Sequence, residues 1–112
     1  MRYLLGIVLA LSFSLPACAQ TKARIILDQA DAGMFPQGWV VVPVPESTFL
    51  MLRNRKTETA YTDLVGKVTF VRERYILTAP PARLRHTLLH ELGHIACNCA
   101  IEEAAEHYAN TH

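Results

Sequence analysis

His90-Glu91-Leu92-Gly93-His94 sets two imidazoles four residues apart with a carboxylate beside the first. An α-helix turns once every 3.6 residues, so this spacing brings both rings to one face, where each can offer a nitrogen to a single Zn²⁺ at about 2.1 Å. Glu91 is then close enough to address water at the metal without occupying a coordination position. The plain alternative is a polar helix face that happens to carry histidine. Clustering argues against it: all five histidines, His86, His90, His94, His107 and His112, fall within the last 27 residues. So does the stripe of Leu84, Leu88, Leu92 and Ala96, joined by Leu89 and Ile95, whose three- and four-residue spacing predicts an amphipathic helix turning its apolar face to a sheet.

The segment 87–95 resembles the active-site helix of zincin metallopeptidases, and 101–109 is similar to the second helix of their gluzincin branch, often written E-E-E-A-D-x-F-A. The resemblance covers about a quarter of the chain. It implies an α+β fold, a minimal zincin-like domain with a small twisted sheet packed on the active-site helix and a short ligand-bearing helix at the C-terminal end. It implies Zn²⁺ as cofactor, His90 and His94 as metal ligands, Glu91 as general base, Glu102 as third ligand and Glu106 as the acid that braces a ligand histidine. Two departures stand out: the bracing Asp of the family is here Glu106, and only seven residues separate His94 from Glu102. So short a gap needs a sharp turn at Cys97-Asn98-Cys99, for which Asn98 can take the left-handed conformation. The metzincin pattern H-E-x-x-H-x-x-G-x-x-H is disfavoured, because Cys97 stands at its glycine and Ala100 at its third histidine. Glu103 and His107 remain alternatives to Glu102.

Zinc held by three protein ligands leaves a position for water and lowers its pKa to about 7. Glu91 would take the water's proton, deliver hydroxide to a peptide carbonyl, and pass the proton to the leaving amine. His107, Tyr108, His112, Arg85 and Tyr75 are candidate donors to the oxyanion or contacts to substrate. His86, one turn before His90, either touches this site or is a solvated helix residue. Cys97 and Cys99 could bridge or, with His90 and His94, build a structural zinc site, although such a site has no use for Glu91. The expected activity is a hydrolase, a zinc metalloprotease acting on a peptide or protein. Two alternatives are a non-catalytic zinc-binding envelope protein and a small interaction module with incidental histidines.

With 11 Lys and Arg against 10 Asp and Glu, a net +1, the chain lacks the one-signed surplus that nucleic acid or an acidic membrane attracts. Its 112 residues leave room for one domain. Residues 1–19 read as a signal peptide: Arg2, an apolar run over residues 4–15, Pro16, then Ala17-Cys18-Ala19. The run is too short to span a bilayer. Cleavage before Gln20 would release residues 20–112 as the metallopeptidase domain. The alternative is lipidation at Cys18, since Leu15-Pro16-Ala17-Cys18 resembles a bacterial lipobox, and this would be its only membrane attachment. Either product is exported, to the periplasm, the cell envelope or the extracellular space.

The elements expected to position the site are a strand over residues 23–27, a loop over 28–38, and strands over 39–42 and 48–52. A charged connection at 53–56 leads to a short helix over 57–65 closed by Gly66. A strand over 68–77, exposed as an edge by its Arg72-Glu73-Arg74 run, precedes helices over 82–96 and 101–109.

Overall fold

The computed structural model describes residues 17–52 and 58–112. The leader expected over 1–19 lies outside the described residues as far as residue 16, and so does the charged connection at 53–56. The described chain is a small α+β structure, three strands and five helices. Among the described residues no helix is long and apolar enough to cross a membrane.

Helix α1, Ala17–Asp31, replaces the strand expected at 23–27. Ala23 and Leu27 are fully buried, with Ile26 and Ala30 packed beside them, a spacing of three and four residues. Ile25, which shares their parity in a strand, is 51% exposed. Three successive apolar residues, Ile25-Ile26-Leu27, fit either period, and the core chooses the helical one. Arg24 reinforces the choice by pairing with Asp28 one turn on and donating to the Val41 carbonyl at 3.0 Å. The helix ends where Ala32 and Gly33 take positive φ.

Strand β1, Val40–Val44, runs parallel to β3, Val68–Arg72, and β2, Ala60–Asp63, pairs antiparallel on the other side of β3. The order is β1-β3-β2. Pro43 is tolerated because β1 is a terminal strand, where a missing amide hydrogen breaks no ladder. The expected edge strand is therefore the central one, and it is shorter than expected. At Glu73 the chain turns into α3, Glu73–Thr78, burying Glu73 and Ile76 at helical spacing. The Arg72-Glu73-Arg74 charges mark this change of element, and Arg72 pairs with Glu46.

Glu46 opens α2, Glu46–Leu52, in place of the strand expected at 48–52; Phe49, fully buried, is its anchor. The helix expected over 57–65 is instead β2 and the turn that follows. Asp63 Oδ1 accepts from the amides of Val65 and Gly66 at 3.1 and 3.0 Å, so Gly66 closes a hairpin and not a helix. The β2–β3 register sets Thr62 opposite Thr69, both buried.

Helix α4, Pro81–Cys97, and helix α5, Glu102–Thr111, match expectation closely. Pro81 lies in the first turn of α4, where its missing amide hydrogen would have had no partner. Leu84 and Leu88 enter the core with Ala23, Leu27, Val41, Ala60, Val71 and Ile76. Ala96, expected on that stripe, is exposed. Helix α4 thus packs on α1 and β2 by one face and receives α5 on another.

If α1 is helical, Leu27→Ala should cost about 2–5 kcal/mol and Ile25→Ala well under half of that, as read from urea unfolding. Equal costs would restore the strand.

Candidate metal and catalytic site

Gly93 governs how the two C-terminal helices meet. A Cβ built there would lie 2.8 Å from both the Cα and the carbonyl oxygen of Ala105 and 2.9 Å from Tyr108 Cβ, so only glycine allows α5 this near. Ala105 and Ala109, both buried, form the matching flat face of α5. The link between the helices is short because Asn98 takes the left-handed conformation, φ 52° and ψ 47°, and its amide donates to the carbonyls of His94 and Ile95. Cys97 and Cys99, on either side of it, form a disulfide.

This docking brings α5 carboxylates to α4 histidines. Glu102 Oε1 stands 2.8 Å from His90 Nε2 and 3.5 Å from His94 Nε2. Glu106 reaches His90 Nδ1 through one oxygen and His86 Nε2 through the other, both at 2.8 Å. Donation of His94 Nδ1–H to the Cys99 carbonyl, 3.0 Å away, assigns that ring's tautomer. Each of His90 and His94 therefore has its Nδ1 engaged by an outer acceptor and its Nε2 turned toward one carboxylate oxygen. Their ring centroids are 5.0 Å apart, with the planes near perpendicular.

Glu91, only 6% exposed, completes the cluster. His90, Glu91 and His94 offer ligand atoms within 4.8 Å of one another and could hold a metal ion. Thr62 Oγ1 donates to Glu91 Oε1 at 2.7 Å, and the Thr62 and Thr69 hydroxyls are 2.8 Å apart. Burial pushes the Glu91 carboxyl up from its ordinary range, against the opposing effects of the Thr62 hydrogen bond and the two neighbouring imidazoles. The groups face a cleft of about 610 Å³, walled by residues 58–65 on one side and by α4, Cys99, Ala100 and α5 on the other.

Of the predicted residues, His90, Glu91, His94, Glu102 and Glu106 are brought together. Glu103 and His107 are exposed and outside the cleft lining, which leaves Glu102 as the carboxylate that meets both histidines. None of the five expected oxyanion or substrate donors lines the cleft. Tyr75 shares a hydrogen bond with Thr87, Tyr108 stacks on His112 at 3.8 Å, and Arg85 and His107 are exposed. His86 belongs to the site after all, as the second partner of Glu106. The sequence does not single out Thr62, because its segment reads as a helix closed by Gly66, nor Thr69, whose partner lies in that segment; the alternation of Ala60 and Thr62 toward the core was the available signal. No protein-family model, curated protein or solved structure matches the chain.

A neutral Nε2 lone pair facing a carboxylate oxygen at 2.8 Å is repulsive unless a cation or a proton lies between them. In the metal-free protein His90 supplies the proton. Burial opposes its charge, but the hydrogen bonds to Glu106 and Glu102 and the charge on Glu91 outweigh that and raise its pKa above 6.5. The same geometry suits a metal. A tetrahedral ion with arms of about 2.1 Å has ligand atoms about 3.4 Å apart, within reach of the observed separations after a small spread.

Three results should follow. Gly93→Ala should cost about 1–3 kcal/mol in urea unfolding and weaken metal binding, because α5 must withdraw with Glu102 and Glu106. Because His90 gains its proton from folding, its contribution to metal-free stability is complete below pH 6.5 and disappears as pH rises through the elevated value. Metal must displace that proton, so affinity in a chelator competition should run the other way, falling about tenfold per unit below a breakpoint that lies above 6.5.

Proposed function

We propose that this chain is an exported, gluzincin-like zinc metallopeptidase that hydrolyses peptide bonds with Glu91 as general base. The observation that carries this reading is the convergence on one Glu102 oxygen of two Nε2 atoms whose Nδ1 atoms are engaged elsewhere. Two imidazoles and a carboxylate are a donor set that zinc takes in catalytic sites, and a second carboxylate held aside by Thr62 is what general-base chemistry needs.

His90, His94 and Glu102 would hold the zinc. When bound, zinc supplies Lewis acidity, polarising a carbonyl oxygen and making water acidic enough to ionise near neutral pH. Glu91 receives the proton of the attacking water and returns it to the departing amine. Glu106 and the Cys99 carbonyl keep the two rings in their orientation throughout. Strand β2, terminal in the sheet of the described residues, lines the cleft in which an extended peptide would lie. The apolar run at residues 4–15, with Arg2 before it and Ala17-Cys18-Ala19 after, supports export.

Elemental analysis beside peptide-library hydrolysis tests the assignment. The wild type and Glu91→Gln should each carry one zinc per chain, while His94→Ala and Glu102→Ala should lose it. Glu91→Gln should lower turnover by about 10²–10⁴-fold. Zinc with no hydrolysis would make this a metal-holding envelope protein, and a folded wild type without metal would end the reading.

A further inference from the structure

We infer that Thr62 is a positioning residue for Glu91, fixing one carboxylate oxygen so that the other is presented to the cleft beside His90 and His94. The inference rests on the proposed reaction and deepens it.

The geometry is directional. Thr62 and Thr69 face each other across the β2–β3 pair, and their hydroxyls, 2.8 Å apart, could satisfy one another without Glu91. Thr62 Oγ1 nevertheless lies 2.7 Å from Glu91 Oε1, contributed by a different element 29 residues away. A hydroxyl has one proton to give and an ionised carboxylate has none. The order of donation is therefore Thr69 to Thr62 to Glu91, and the chain of hydrogen bonds ends on the carboxylate. Thr69 is fully buried and Thr62 is 9% exposed, so neither hydroxyl turns readily to water.

The consequence falls on the second oxygen. Among the described residues Glu91 Oε2 has no hydrogen-bond partner, yet it is not a buried orphan, so it opens on the cleft. Without the tether the side chain can rotate about its own bonds and exchange the two oxygens. With it, a single oxygen stands where an attacking water would be deprotonated. Thr62 touches neither metal nor substrate in this role.

The experiment compares Thr62→Val, which keeps the shape and removes the hydroxyl, with Thr62→Ser, which keeps the hydroxyl. Glu91→Gln serves as reference, all in the full chain. Thr62→Val should retain one zinc per chain and a KM close to wild type while kcat drops about 10- to 100-fold, the cost of a misplaced reacting group. Thr62→Ser should recover most of the rate. A readout independent of turnover is the Thr62 hydroxyl proton in NMR spectra of the metal-free protein. It should exchange slowly with water and shift when Glu91→Gln replaces its charged acceptor with an amide. Thr62→Val as fast as wild type, where Glu91→Gln is inert, overturns the role of Thr62 alone. Equal losses of rate and stability in Thr62→Val and Thr62→Ser overturn it too, because a merely structural threonine behaves so. A wild type that holds zinc and cleaves no peptide overturns the proposed reaction and this role with it.

Discussion

Gly93 lies between the two histidines of the motif, and the space its missing side chain leaves is filled by the backbone of Ala105. From that contact the rest of the site follows. With α5 at this distance, side chains one turn apart on it, Glu102 and Glu106, reach α4 with hydrogen-bond geometry. A methyl group at position 93 would act as a wedge, and carboxylates with only two methylenes between backbone and carboxyl have little slack to make up the loss. The tight turn at Asn98 and the Cys97–Cys99 bridge serve the same constraint, since a wider link would let α5 slide along α4 and exchange its partners.

The site is ordered by where protons point. Two rings are turned by acceptors behind them, one a side chain and one a backbone carbonyl, so that both Nε2 atoms look inward. A third acceptor, Glu102, faces them, and the mutual repulsion of three electron-rich atoms is what makes the place hospitable to a cation. His86 extends this arrangement outward. By occupying the second oxygen of Glu106 it keeps that carboxylate from swinging toward solvent, where nearly half of its side-chain surface already lies.

Local pattern and long-range packing divided the legibility of the chain. The two C-terminal helices, the left-handed Asn98 and the H-E-x-x-H cluster were readable because they depend on residues within a few turns of one another, and the resemblance to gluzincins pointed to Glu102 and Glu106, which lie against His90. Upstream, composition misled. Residues 23–27 and 48–52 are rich in strand-forming types but lie in α1 and α2, where burial falls on Ala23 and Leu27 one helical turn apart and on Phe49 alone. The segment 57–65 shows the reverse error, in which Gly66 suggested a helix end and Asp63 instead built a turn around it. Every one of these errors concerns which neighbour a segment packs against, information that no local window contains. The Thr62–Glu91 bond was invisible for that reason.

That division has a counterpart in how the chain must assemble. Among the described residues, the side chains that could hold a metal ion or orient the two histidines lie between His86 and Glu106, a stretch of 21 residues forming one helical hairpin. Closing that hairpin loses little chain entropy, so its contacts belong to the early, local class. The tether on Glu91 spans 29 residues and waits for β2 and β3 to pair and dock. On the proposed reading, the contacts that would capture a cation are local in the chain and the one that would aim the base is not, so a chain with only its C-terminal hairpin formed would bind the ion before it could turn over a peptide.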